Sequence, residues 1–163
     1  MVKGLVVILS LLFIGISLPN GEDSDIIAQQ QDKEVTCLAK NIYHEARGEN
    51  EMGQRAVAMV VVNRSRKSGK SMCDVVYSRT EKTCQFSWVC QKWLHKIRDQ
   101  ESYNRAREIA EDVYLGKHKD ITGGATFYHA TYVNPGWHRN KNFKKTTKIG
   151  THVFYSYKKE TVW

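Results

Sequence analysis

The sequence predicts an α+β domain, with helices first and a small antiparallel sheet after them. Three observations lead there. Apolar residues recur at helical spacing through residues 34–66, and again from Tyr103 to Val113. Beyond Thr122-Gly123-Gly124 the pattern changes to alternating β-formers, in ATFYHA and in KKTTKIGTHVFYSY. Gly48, Gly116 and Asn134-Pro135-Gly136 punctuate these segments as helix stops and a turn. There is no internal repeat, and 163 residues suffice for one domain with its own core.

Residues 1–21 stand apart. Lys3 precedes GLVVILSLLFIGISL, an apolar run of 15 residues, which ends in the polar PNGEDSD. That layout predicts a signal peptide or signal anchor. The run is shorter than the ~20 residues of a stable membrane span, which implies at most a transient membrane association. Gly15-x-Ser17 is the best small-x-small cleavage candidate. Residues 22–33 (EDSDIIAQQQDK) are polar without a sustained period and read as a linker or frayed arm, which places the domain proper at 34–159.

Within that domain Val35, Leu38, Ala39, Ile42 and Ala46 form the apolar stripe of a helix over 34–47, stopped by Gly48. Residues 52–66, almost wholly apolar from Ala56 to Val62, predict a helix buried on most of its circumference. Ser71 is placed to cap a short helix, Met72–Ser78. Residues 79–99 read as irregular, and the helix around residues 103–113 stops at Gly116. The final segment predicts a hairpin that turns near Ile149-Gly150.

Four cysteines behind an export signal predict two disulfides. Of the three pairings, Cys37–Cys73 with Cys84–Cys90 is preferred, because the second pair is near enough in sequence to close a small loop. No C-x-x-C or H-E-x-x-H occurs, so neither a metal nor another cofactor is expected. The formal charge of +8 draws an exported domain to anionic polymers without choosing among them. Lys141, Lys144, Lys145, Lys148, Lys158 and Lys159 make the carboxyl-terminal part especially basic.

One carboxylate is placed for chemistry. At ~100° per residue Glu45 lies ~20° from Leu38, on the edge of the buried stripe and at the end of its helix. Desolvation and the negative end of the helix dipole both disfavour its ionised form, which makes it a proton donor near neutral pH. An ion pair with Arg47 would oppose this. Glu49, four residues on, is a possible second carboxylate for the same chemistry, with a capping or orienting role as the alternative.

The words around Glu45 are Tyr43-His44-Glu45-Ala46-Arg47-Gly48-Glu49, Gly53-Gln54-Arg55-Ala56-Val57-Ala58 and Val62-Asn63-Arg64. They resemble the cell-wall hydrolase family named for the spore-cortex-lytic enzymes SleB and CwlJ. Cys73-Asp74-Val75-Val76-Tyr77, Gln85-Phe86-Ser87-Trp88, Thr122-Gly123-Gly124-Ala125, Tyr128-His129-Ala130, Asn134-Pro135-Gly136-Trp137 and Ile149-Gly150-x-His152-x-Phe154 continue the resemblance across roughly residues 35–157. The resemblance implies a lysozyme-like fold with a substrate cleft, and cleavage of peptidoglycan between N-acetylmuramic acid and N-acetylglucosamine. It implies Glu45 as the catalytic acid/base of a lytic transglycosylase, which leaves 1,6-anhydromuramic ends. A muramidase with a second carboxylate and a non-catalytic wall-binding module are the alternatives.

Gln85, Ser87, Trp88, Tyr128, His129 and Asn134 are the substrate-binding candidates, with Trp137 beside them. Phe86 and Trp88 could equally plug the core. Tyr128 and His129 alternate on a strand, so only one should face a cleft. The expected partner is the peptidoglycan glycan strand rather than nucleic acid, and the expected state a monomer in the envelope or outside the cell. The small size suits a phage or envelope member of the family.

Overall fold

The structure, a computed structural model, describes residues 21–158; residues 1–20 of the expected signal segment and Lys159 lie outside them. The helical half contains α1 (Gly21–Ala46), α2 (Glu51–Ser68), α3 (Met72–Val76), α4 (Ser87–Cys90) and α5 (Gln100–Tyr114). Strands β1 (Phe127–Ala130), β2 (Phe143–Ile149) and β3 (His152–Tyr157) follow. They form one antiparallel sheet in the order β1-β3-β2.

Residues 22–33, expected to be a linker or frayed arm, form the largely exposed first half of α1. That segment is helical, continuous with the packed helix after it. Its polar composition suggests a linker, but a helix anchored by a buried end can extend into solvent one backbone hydrogen bond at a time. Local contacts help: Gln30 donates to Glu34 at 2.9 Å, and Arg107 of α5 pairs with Asp32. The expected helix ends (Arg47 for α1, Ser78 for α3) fall at Ala46 and Val76. The block 79–99, expected to be irregular, contains α4 and a 3-10 turn at Lys92–Leu94. At four and three residues, both are too short for an apolar period to register.

Leu38 and Ile42 of α1, Val61 of α2, Val76 of α3 and Ala110 of α5 centre the larger core cluster. Ala56 and Val60 on another face of α2 meet Ala125 and Phe154, which joins helices to sheet. α2 therefore has apolar partners on most sides, as its near-continuous apolar sequence requires. Asn50 and Ser71 cap α2 and α3 through their side chains. The disulfides are Cys37–Cys73 and Cys84–Cys90, the preferred pairing. The first ties α1 to α3 and the second closes the loop that carries Gln85 to Val89.

The approach to the sheet is set by one buried amide. Asn63 of α2 donates to Asp120, Thr122 and the carbonyl of Ala125. Asp120 in turn accepts from the backbone N–H groups of Thr122 and Gly124. Gly123 and Gly124 supply the left-handed conformations of this turn, at φ 66° and 75°. β1 thus leaves the turn aimed at the end of α1.

Candidate active site

The last turn of α1 and β1 meet across the fold at Glu45. Tyr128 donates its hydroxyl hydrogen to Glu45 Oε2 at 3.0 Å. Burial raises the Glu45 pKa above its ordinary 4.5; the Tyr128 hydrogen bond and the Arg64 charge pull the other way with less effect. The pKa of Tyr128 is pushed well above 10 by burial and by Glu45, so it stays a donor at neutral pH.

Arg64 comes from α2 and is 5% exposed. Its Nε donates to the carbonyl of Thr126 at 2.6 Å. The guanidinium lies over the rings of Phe86, at 5.4 Å, and Phe127, at 5.5 Å. Burial lowers its pKa to about 10, which leaves it cationic at neutral pH. The cation that acts on Glu45 is therefore Arg64; Arg47 is exposed, with its guanidinium 5.1 Å over the Tyr43 ring.

Around this pair opens a cleft of about 300 Å³. Gln85 and Ser87 line one part of it, and Phe127, Tyr128 and Trp137 another. Glu45 is the one acid in its lining among the described residues. A depression of about 160 Å³ bounded by Ser78, Arg79 and Thr80 continues from Gln85, so the opening is elongated.

Four residues further on, Glu49 has a different setting. Its carboxylate accepts from the backbone N–H and the hydroxyl of Thr151, in the turn between β2 and β3. His152 Nδ1 lies 3.6 Å from Oε1, and the two side chains are 9% and 11% exposed. A Cβ on Gly53 would come within 2.9 Å of Oε2, and one on Gly150 would overlap it. Glu49 is thus wedged between two glycine backbones and does not line the cleft.

The other candidates separate cleanly. Gln85, Ser87 and Tyr128 line the cleft with Glu45. Trp88 does not: it is 3% exposed, its indole N–H donates to Asn41 at 3.2 Å, and its ring stacks on His44. The helical turn of α4 rotates it into the core while leaving Ser87 outside. His129 lies on the other face of β1 from Tyr128, where its ring stacks on Tyr155 and Nε2 meets the Tyr155 hydroxyl at 3.1 Å. Asn134 is exposed on the loop before the Gly136–Arg139 turn, outside the cleft lining. Arg64 and Phe127 are cleft residues that sequence reasoning did not select. A charged residue closing the apolar run Ala56–Val62 was the available signal for Arg64.

The profile of the cell wall hydrolase family matches residues 48–155. The chain belongs to this family. Glu45 lies three residues before the matched range. Among curated proteins, a spore cortex-lytic enzyme of Halalkalibacterium halodurans is 29% identical over 132 residues, covering 80% of this chain and 37% of that protein. The chain therefore spans a little over a third of that relative's length. Among solved structures, the catalytic domain of the Bacillus cereus SleB protein matches at TM-score 0.60 and 25% identity, over 77% of this chain and 91% of that one. The catalytic domain of a germination-specific lytic transglycosylase, SleB from Bacillus anthracis, matches at TM-score 0.59 and 25% identity, over 85% and 100%. The fold is accordingly the SleB catalytic-domain fold, a helical core with a small antiparallel sheet.

Proposed function

We propose that this chain cleaves peptidoglycan glycan strands between N-acetylmuramic acid and N-acetylglucosamine as a lytic transglycosylase, with Glu45 as its acid/base. The observation that carries the reading is the setting of Glu45: a carboxyl held toward its protonated form, at the wall of an open cleft whose lining, among the described residues, contains no second acid. The Bacillus anthracis relative, a germination-specific lytic transglycosylase, supports the same activity for this chain.

Tyr128 bonds Oε2, so Oε1 carries the transferable proton. Oε1 protonates the glycosidic oxygen, and the bond to C1 of muramic acid breaks as positive charge develops there. The Glu45 carboxylate left behind is stabilised by Tyr128 and by Arg64. It then takes the proton of the sugar's own 6-hydroxyl, whose oxygen closes on C1. The proton balance returns Glu45 to its starting form, and no water is consumed. Glu49, bound to Thr151, acts as a structural clamp for the β2–β3 turn.

The cleft asks for an extended polar ligand with apolar faces. Phe127 and Trp137 offer ring surfaces for sugars, and Gln85 and Ser87 offer hydrogen bonds. We read the protein as exported: two disulfides and the basic charge support an extracytoplasmic site of action. Among the described residues no helix is long and apolar enough to cross a membrane.

Mass spectrometry of muropeptides released from purified peptidoglycan tests the reading. Anhydromuramic ends produced by the parent and absent with Glu45→Gln are the expected result. Reducing ends, heavier by one water, would replace the transglycosylase by a hydrolase. Identical products from parent and Glu45→Gln would remove Glu45 from the chemistry.

A further inference from the structure

A second depression, of about 460 Å³, lies beside the end of α1. Its lining begins one residue from Glu45, at His44, whose ring stacks on Trp88 at 4.4 Å. Arg47, Lys96 and Arg98 contribute three cations. Among the described residues none of the three has an ion-pair partner. Asp99 is the one acid in the lining, and it is already engaged: its carboxylate accepts from the Ser102 N–H at 2.9 Å and from the Ser102 hydroxyl at 2.6 Å, as the N-cap of α5. Its negative charge is therefore directed at the helix.

The depression also has apolar surface. Trp93 is 68% exposed and Leu94 37%, both in the turn that follows the Cys84–Cys90 loop. Trp93 and Leu94 thus place apolar surface beside cations that have no ion-pair partner among the described residues. The two walls are tied together, since the Tyr43 hydroxyl accepts from the backbone N–H groups of Arg98 and Asp99 at 3.3 and 3.2 Å.

We propose that this depression binds the peptide stem of the substrate through its carboxylates. The inference rests on the glycan-cleavage reading above. Muramic acid carries its peptide on the lactyl group, so a stem leaves the strand within a sugar of the bond that Glu45 would cleave. Stem peptides bear free carboxylates along a short chain with alanyl methyl groups. Three cations around a hollow with Trp93 and Leu94 complement that chemistry: the cations bind the carboxylates, and the indole and leucine cover the methyl groups. A compact hollow fits a short peptide better than a long phosphate-rich wall polymer, which would need a basic track.

The test uses the full chain and the double variant Lys96→Gln/Arg98→Gln, which alters exposed side chains while keeping the backbone bonds to Tyr43. Initial rates are measured on glycan strands with stems intact and on strands stripped of stems by an amidase. Binding of a soluble N-acetylmuramoyl tetrapeptide is measured by calorimetry. The variant should lose about five- to tenfold in kcat/KM on stem-bearing strands, hold the parental rate on stripped strands, and bind the peptide correspondingly more weakly. Equal losses on both strand types, no loss on either, or unchanged peptide binding would overturn the proposal. So would weakening seen only on walls that retain phosphate-rich polymers. If the parent cleaves neither strand yet binds the peptide in a Lys96- and Arg98-dependent way, the stem site stands and the glycan-cleavage reading falls.

Discussion

Glu45 and Glu49 are the same residue type four positions apart, and the fold treats them in opposite ways. Glu45 ends a helix at a cleft wall, where burial disfavours its charge and one tyrosine hydroxyl bonds it. Glu49 lies past the helix end and is wrapped by the β2–β3 turn, bonded to Thr151 and pressed between Gly53 and Gly150. The first arrangement bonds one carboxylate oxygen and disfavours the charge; the second uses the carboxylate to fix a hairpin. Between them the backbone changes direction at Arg47–Gly48. A carboxylate's role in this fold is set by which side of that break it falls on.

The strongest way to break the contrast is Glu45→Gln. It should reduce glycan cleavage by ~10²–10⁴-fold, the usual range for loss of a general acid. The same variant sharpens the contrast through stability. The folded state binds the Glu45 proton more tightly than the unfolded chain does, so stability is lost as pH rises through the raised pKa. Glutamine removes that loss, so the variant should melt above the parent near pH 7 and show a smaller gain near pH 4. A variant equally active, or one whose gain is larger in acid, would contradict the assigned environment.

Glu49→Ala should do the reverse. Losing the bonds to Thr151 should cost about 2 kcal/mol, or a melting temperature lower by roughly 4–8 °C, while cleavage per folded molecule stays within about a fewfold of the parent. Full stability combined with lost cleavage would make Glu49 a chemical participant and revive the two-carboxylate mechanism.

Tyr128→Phe probes the bond that only Glu45 receives. Rates should fall by about fivefold. The hydrogen bond lowers the Glu45 pKa, so its loss lets Glu45 stay protonated to higher pH, and the alkaline limb of the rate profile should move up. A limb that moves down would place the tyrosine's influence elsewhere. The smallest effect concerns His44, on the outer side of the same turn. Burial and nearby cations lower its pKa from 6.5 to about 4, so the folded state holds it neutral while the unfolded chain takes up a proton. Stability should therefore fall as pH drops from 6.5 toward 4, and His44→Phe, which retains an aromatic ring to stack on Trp88, should flatten that slope in thermal melts.

Much of this protein was legible from local order alone. Helical and alternating periods follow from burying one face of each element, so the α+β order, α2 and the hairpin near Gly150 could be read without any contact. The edge position of Glu45 could be read likewise, because the phase of α1 is local. What failed was short or anchored structure. Residues 22–33 are helical because the packed end of α1 extends them, and α4 is too short to show a period.

The companions of Glu45 were decided by the tertiary structure. Tyr128 is 83 positions away and reaches Glu45 only because Asn63 pins the turn that aims β1. Arg64 looks like the end of a buried helix until Phe86 and Phe127 close over it. The same folding took Trp88 into the core, put His129 on the far face of the strand and left Asn134 outside the cleft. Sequence spacing determines which face of its own element a side chain occupies; what that face meets depends on long-range packing, and packing separated Glu45 from Glu49.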